Sequence, residues 1–137
     1  MNRKFRTLRL IVVTVALISE AQAQSSNERV PVISGNAGPC SIELVVRGSE
    51  GKLVYAATVK VHIAYGFAGI RKLDLEAGTN SDGTVKFTGL PARVQRPPLE
   101  FHAVKDELTA IATFDPSTEC QAKRDIALEK AKAQDAH

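Results

Sequence analysis

Two histidines, His62 and His102, are the side chains of this sequence best suited to acid–base or metal chemistry. Each lies in a run where apolar and polar residues alternate, and each falls on the polar side of that run. Both are therefore predicted to point outward from β-strands. On neighbouring strands the pair would offer two metal ligands, whereas solvated strand positions need no function. Because solvated positions are far commoner, we expect no metal site and no cofactor.

Motifs of known catalytic sites are missing from the sequence. It contains neither Gly-x-Ser-x-Gly nor His-Glu-x-x-His, the spacings of a nucleophile elbow and of a zinc-protease helix. Asp74 and Glu76, and the adjacent Asp106 and Glu107, are explained as solvated charges. We therefore expect no catalytic residue and interpret the protein as a non-enzyme, with a small hydrolase as the alternative.

Three loop residues are candidates for contact with a partner. Phe67, in the loop of residues 66–69, either plugs the end of the fold or contacts a partner. Arg93 and Arg96 flank a Pro-rich loop, where they either receive an anion or the edge of a carbohydrate, or are simply solvated.

Residues 80–83, Asn-Ser-Asp-Gly, offer either part of a calcium site or a turn. One Asp with neighbouring Asn and Ser supplies too few hard oxygen ligands for calcium unless another loop contributes. A turn explains the segment better, with Asp82 as the side-chain cap and Gly83 supplying the positive φ.

The N-terminal segment is typical of a targeting signal. Its basic start is followed by an apolar run from Leu10 to Ile18 and by Ala21-Gln22-Ala23, a small-x-small cleavage site. The apolar run is about half of the ~20 residues that a membrane-spanning helix needs. We predict cleavage before Gln24 and no membrane span, a membrane anchor being the alternative. The protein is then secreted or periplasmic.

The charge of the chain lies mostly in this segment. The whole sequence has 18 Lys and Arg against 15 Asp and Glu, whereas the predicted mature chain has 14 of each. A balanced mature chain gives no electrostatic reason to bind nucleic acid or an anionic membrane surface.

The two cysteines, Cys40 and Cys120, are predicted to form a disulfide. An even number of cysteines in an exported chain favours this interpretation, and two free thiols or half of a metal site are the alternatives. Cys40 opens the first predicted strand of the folded body and Cys120 precedes the last. The bond would therefore join the two ends of one domain.

The elements that position these residues are predicted from period-two alternation bounded by turn signals. They divide the chain into a signal peptide (1–23), a flexible leader (24–39), a β-sandwich (40–129) and a frayed tail (130–137). Val32 and its neighbours are open to a second interpretation as an edge strand. The last predicted strand, residues 123–129, has a helix as its alternative. The predicted strands occupy 41–48, 53–65, 70–78, 84–90, 99–104, 108–114 and 123–129.

One group of segments resembles the carboxypeptidase regulatory-like domains and the collagen-adhesin B-type repeats. "GKLVYAATVKV", "TNSDGTVKFTGLP" and "LEFHAV" match their Ala-x-Val strand, Thr-x-x-Asp-Gly turn, aromatic-bearing strand and Gly-Leu-Pro. The resemblance implies an all-β, seven-stranded antiparallel Greek-key β-sandwich of the transthyretin (prealbumin) type. The residues that match are Ala57, Val59, Thr79, Asp82, Gly83, Phe87 and Gly89-Leu90-Pro91.

The matching residues belong to the scaffold, so the resemblance implies no catalytic role. The sequence departs from the family pattern after Leu-Pro, where "ARVQRPP" replaces the usual Gly-x-Tyr. The expected function is a binding or structural accessory role with an unknown protein or glycan partner. A transthyretin-like hydrolase is the alternative, although the tail "KAKAQDAH" lacks the Tyr-Arg-Gly-Ser ending of that family.

Overall fold

The computed structural model describes residues 29–131, and within this range all regular structure apart from one 3-10 turn at Phe67–Gly69 is β-strand. The predicted cleavage site and the last six residues lie outside the described residues. The strands are β1 (Val32–Ser34), β2 (Cys40–Arg47), β3 (Thr58–Tyr65), β4 (Arg71–Gly78), β5 (Thr84–Leu90), β6 (Leu99–Lys105), β7 (Leu108–Phe114), β8 (Gln121–Ala127) and β9 (Glu129–Lys130).

The strands form two sheets that face each other, which confirms the predicted β-sandwich. The first sheet has the order β1-β5-β2-β8 and the second the order β4-β3-β6-β7-β9. The prediction of a wholly antiparallel sandwich is wrong, because β1 runs parallel to β5 and β2 parallel to β8. The chain reaches β8 from β7 in the other sheet, and such a crossover allows parallel neighbours that a tight hairpin cannot join.

Each of the seven predicted strand segments overlaps one long strand, and two short strands are additional. β1 lies within the segment interpreted as a flexible leader, so the edge-strand interpretation holds for Val32–Ser34. β9 includes the first residue of the predicted tail and pairs with β7. The segment left open between strand and helix is a strand, because Ile126 and Leu128 face the core there.

Phenylalanine contributes more to the core than the aliphatic-rich composition suggests. Phe87 from the first sheet and Phe101 from the second have ring centroids 5.1 Å apart, and Phe114 lies 6.4 Å from Phe101. All three side chains are fully buried, and each contributes roughly 1.5–3 kcal/mol by leaving water. Aliphatic residues that alternate along every long strand surround them.

The strand register places the connections at two opposite ends of the sandwich. Residues 66–70, 91–98 and 115–120 connect strands at one end, which we call the loop end. Residues 48–57 and 79–83 connect strands at the other, the turn end.

The predicted disulfide is confirmed at the loop end. Cys40 and Cys120 are bonded, with their Cα atoms 4.5 Å apart and a sequence separation of 80. Ser41 and Gln121, the next residues, begin the parallel ladder between β2 and β8. The bond therefore holds the starts of two neighbouring strands together.

Buried polar side chains organise the turn end. The Thr79 hydroxyl donates to the carbonyl of Val54 at 2.6 Å and accepts from the amide of Ala57 at 2.9 Å. Thr79 is 4% exposed, so these bonds replace water that cannot reach the groups. They also explain why β3 begins at Thr58, later than predicted, since the chain before it is bonded to Thr79.

The turn of residues 80–83 is capped by Asn80, not by Asp82 as predicted. The side-chain oxygen of Asn80 accepts from the amides of Asp82 at 3.0 Å and Thr84 at 2.9 Å. Asp82 itself is exposed. Gly83 has the expected positive φ, +68°, and its closeness to the carbonyl of Val46 leaves no space for a side chain.

Candidate functional site

An open cavity of about 550 Å³ lies on the outer face of the second sheet, at the loop end. Strands β3, β4 and β6 supply its floor, and two loops form its rim. Most of the side chains that point into it are charged or polar. The lining residues are His62, Ala64, Ala68, Gly69, Lys72, Gln95, Arg96, Pro98, Leu99, Glu100 and His102.

Backbone pairing brings the two rim loops together. Tyr65 and Val94 form an isolated β-bridge, and the amide of Gln95 donates to the carbonyl of Ala64 at 2.8 Å. A Cβ atom built on Gly69 would lie 2.6 Å from Cγ of Gln95, so the loops are in contact. The loops of Phe67 and Arg96, separate in the sequence, therefore share one rim.

Two non-glycine residues of this rim adopt the left-handed backbone conformation. Ala68 and Arg96 both have φ +54°, which costs an L-residue roughly 1–2 kcal/mol. Such conformations persist only where the surrounding structure holds them. Here the pairing of Val94 and Gln95 with the end of β3 holds the second loop in place.

The predicted partner-contact residues occupy different positions at this rim. Phe67 is 90% exposed, so it does not plug the sandwich, and the neighbouring Ile70 is 73% exposed. Arg96 lines the cavity, whereas Arg93 is exposed on the same loop but is not part of the lining. Of the three predicted residues, Phe67 and Arg96 are thus brought to one place.

Both histidines point outward as predicted, and each contacts a carboxylate. Nδ1 of His62 lies 2.5 Å from Oδ1 of Asp74, its direct cross-strand partner on β4. Nε2 of His102 lies 3.3 Å from Oε2 of Glu100 on the same strand. In residues 29–131 no three His, Cys, Asp or Glu side chains are grouped so that they could hold a metal ion.

His62 and Asp74 form a histidine–carboxylate pair at the border of the cavity and the neighbouring depression. A histidine held by a carboxylate has the form of a general base. However, the residues lining the cavity include no Ser, Thr or Cys that would serve as the nucleophile.

Fixed charge is unevenly distributed over the outer face of the second sheet. Lys60 lies 3.8 Å from Glu76, in a shallower depression of about 450 Å³ beside the cavity. In the part of the chain that the structure describes, Lys72 and Arg96 make no ion pair. The cavity therefore has unpaired cations, whereas the neighbouring depression has paired charges.

Sequence reasoning missed Lys72, Gln95 and Glu100 as site residues. Each has an ordinary position in the sequence: Lys72 and Glu100 are polar residues of alternating strands, and Gln95 lies in a Pro-rich loop. Only the register of β3 with β4 and β6 places them around one cavity. The alternation of polar and apolar residues predicted that the side chains of Lys72 and Glu100 point outward, but it did not predict that they lie near each other.

No protein-family model matches the sequence, and no curated protein matches it. Within residues 29–131 no helix has the length and apolar character needed to cross a membrane.

Several solved structures show a remote similarity in shape. A chlorocatechol 1,2-dioxygenase from Pseudomonas putida has a TM-score of 0.48 and 16% identity, over 74% of this chain and 68% of that one. A catechol 1,2-dioxygenase from Acinetobacter sp. ADP1 has a TM-score of 0.47 and 10% identity, over 74% of this chain and 59% of that one. The shaft pilin SpaA from Lactobacillus rhamnosus GG has a TM-score of 0.45 and 11% identity, over 66% of this chain and 46% of that one. At these values nothing follows about what this chain binds or does.

Proposed function

We propose that this protein is a secreted or periplasmic, non-catalytic β-sandwich module that binds a glycan at the loop end. The observation that carries the proposal is the meeting of two loops around one cavity. Ala68 and Arg96 line the cavity, and Phe67 is exposed beside it. Loops positioned by a rigid scaffold are where binding residues concentrate.

Export is supported by the disulfide and by the N-terminal pattern. Disulfides persist in oxidising compartments and are rare in the cytosol, and Cys40 is bonded to Cys120. Intact mass of the protein recovered outside the cytoplasm tests this, with Gln24 expected as the first residue. A soluble form that retains Met1 would contradict it.

A glycan fits the cavity better than a protein surface does. About 550 Å³ is within the range of small-ligand sites, roughly 300–1,000 Å³. Protein interfaces have cores depleted in charge, whereas charged and amide groups such as Lys72, Gln95 and Glu100 line this cavity. Lys72 supplies donors, Glu100 acceptors and Gln95 both, as the hydroxyls of a sugar require.

We also propose that the domain is a relative of the carboxypeptidase regulatory-like and collagen-adhesin B-type sandwiches. What supports this is the structural role of the matching residues. Ala57, Val59 and Phe87 are fully buried, Thr79 bonds two backbone groups, and Gly83 has a positive φ. A scaffold role for these positions agrees with a non-catalytic module.

A glycan array probed with the full-length protein tests the binding function. Phe67→Ala is expected to weaken the signal on the glycans that the wild type binds, because the loss of an exposed aromatic side chain removes contact area at the rim. Tyr55→Ala is the matched control, since Tyr55 is 62% exposed at the opposite, turn end. Equal signals from both variants, or binding to no glycan, would contradict the proposal.

Hydrolysis is the second candidate, favoured by the contact between His62 and Asp74 beside the cavity. Water would then be the nucleophile, activated by His62. The test compares the hydrolysis of ester and amide substrates by wild type and His62→Ala. We expect equal background rates, and a rate above background that is lost in His62→Ala would favour the hydrolase instead.

A further inference from the structure

We infer that the ligand of this cavity is an acidic oligosaccharide whose carboxylate is bound between Arg96 and Lys72. The inference rests on the proposed function and names its ligand class. Both cations line the cavity, and neither has an ion-pair partner among residues 29–131. The guanidinium of Arg96 can bind a carboxylate through two parallel hydrogen bonds.

The lining itself carries more positive than negative fixed charge. Glu100, the one carboxylate in the lining, lies 3.3 Å from His102. Asp74 belongs to the neighbouring depression and contacts His62 at 2.5 Å. The fixed charges of Arg96, Lys72 and Glu100 leave the lining one positive charge in excess, without counting the histidines. An anionic group therefore complements this end of the sheet.

A small residue creates the space between the two cations. Ala64 on β3 is directly paired with Lys72 on β4, and its carbonyl accepts from the amide of Gln95 in the loop that carries Arg96. A larger outward side chain at residue 64 would fill the floor of the cavity. The site thus combines shape with charge, and each can be removed separately by a substitution.

An oligosaccharide agrees with the remaining lining better than an acidic peptide does. Gln95, Glu100 and the two histidines offer donors and acceptors for several hydroxyl groups around the carboxylate. A peptide would bring backbone groups that need an extended partner, such as the edge of a sheet. β3 and β6, which carry most of the strand residues in the lining, are paired on both sides, and the free edge of β4 lies on the side away from them.

Titration of the isotope-labelled full-length protein, followed by NMR, tests the inference. The probes are trigalacturonate, the neutral sugar maltotriose and a pentaglutamate peptide. We expect trigalacturonate to shift the amide signals of residues 68–72, 95–96 and 99–102, and the other two probes to shift them little. Arg96→Gln should weaken trigalacturonate binding by about tenfold or more, the effect of losing one charge-assisted contact, and Lys72→Gln by less.

Two further variants separate shape from general charge. Ala64→Leu keeps every charge and is expected to abolish binding by filling the floor. Lys123→Gln removes one positive charge from an exposed position of β8 in the other sheet and is expected to leave affinity unchanged.

Each contrary result has a distinct meaning. Equal shifts with maltotriose, or unchanged affinity in Arg96→Gln, would overturn the acidic ligand while the glycan-binding function stands. Stronger binding of pentaglutamate than of trigalacturonate would show that the ligand is an acidic protein segment and not a glycan. No shift with any probe, together with no effect of Phe67→Ala on the glycan array, would overturn both this inference and the proposed function.

Discussion

The two ends of the sandwich are built by different interactions. At the turn end, Thr79 and Asn80 are buried and bond to backbone groups of neighbouring segments. At the loop end, the side chain of Phe67 is solvated and Arg96 lines an open cavity. The Cys40–Cys120 bond lies at the same end in the first sheet and joins β2 to β8.

This difference separates the residues that hold the fold from those available for function. A buried hydrogen-bonded side chain is costly to change, because its partners are left without water. An exposed loop side chain is free to change unless a ligand needs it. The loop end therefore tolerates variation at its rim, provided that the disulfide and the strand ends beneath it hold. The predictions that follow test this separation.

The largest effect is expected from loss of the disulfide. The double variant Cys40→Ser/Cys120→Ser frees an unfolded loop of 80 residues, and its free energy of unfolding should fall by about 2–5 kcal/mol. Urea denaturation measures this fall. Hydrogen exchange should quicken first at β8 and the loop end, and uniform acceleration at both ends would contradict the separation.

Alanine at two glycines gives the most direct comparison of the ends. Gly83 and Gly69 have φ +68° and +67°, so alanine costs each roughly 1–2 kcal/mol in backbone strain. At Gly83 the new Cβ would also lie 2.5 Å from the carbonyl oxygen of Val46, whereas at Gly69 it would meet the flexible side chain of Gln95. We expect Gly83→Ala to cost about 1–3 kcal/mol more than Gly69→Ala.

Thermal unfolding of the two glycine variants measures the difference. Equal losses would show that the turn end can shift as easily as the loop end. Gly69→Ala should in addition disturb ligand binding, because it displaces Gln95 at the cavity rim.

Thr79→Val should destabilise the protein by about 1–3 kcal/mol, since the amide of Ala57 and the carbonyl of Val54 lose their partner while valine keeps the shape. Thr113→Val on the exposed face of β7 is the matched control and should change stability little. Chemical denaturation of both variants measures the two losses. A similar loss in both would mean that the buried bonds do not hold the turn end.

Phe67→Ala should leave the free energy of unfolding within about 0.5 kcal/mol of the wild type, because the side chain is 90% exposed. Phe114→Ala removes a fully buried ring and should cost about 3–5 kcal/mol. Calorimetry of the two variants compares them. A large loss in Phe67→Ala would show that this residue supports the fold.

The smallest effect concerns an exposed ion pair of the loop end. Hydrogen bonding from Arg124 holds the pKa of Glu119 below its ordinary value of 4.5. Desolvation opposes this lowering, and the charge of Arg124 adds a smaller contribution to it. A lowered folded-state pKa stabilises the fold above the ordinary value, and this stabilisation disappears as pH falls through the folded pKa. Surface pairs of this kind contribute little.

Denaturation of wild type and Glu119→Gln at neutral pH and in acid checks this sign. The wild type should be slightly more stable at neutral pH, and the difference should vanish in acid. Glu107→Gln is the control, because Glu107 makes no ion pair within the described residues. A stability difference between wild type and Glu119→Gln that grows in acid would contradict the lowered pKa of Glu119.

The alternation of side chains was sufficient to predict most of the fold. It located the seven long strands, because a strand exposes every second residue to one side. It failed where pairing with another segment decides the outcome. β1 is a strand because it pairs with Lys86–Thr88 of β5, and β9 because it pairs with β7. The capping role of Asn80 was likewise assigned to Asp82, since both residue types cap turns.

By itself the sequence determined a two-sheet β-sandwich, the pairing of its two cysteines and the outward direction of His62 and His102. These follow from local periodicity and from an even cysteine count. Only the tertiary structure decided the parallel neighbours and the cavity, since register between strands and contacts between loops join residues far apart in the chain. Lys72 and Arg96 line the same cavity as Ala64 because β3 pairs with β4 and the end of β3 holds Val94 and Gln95.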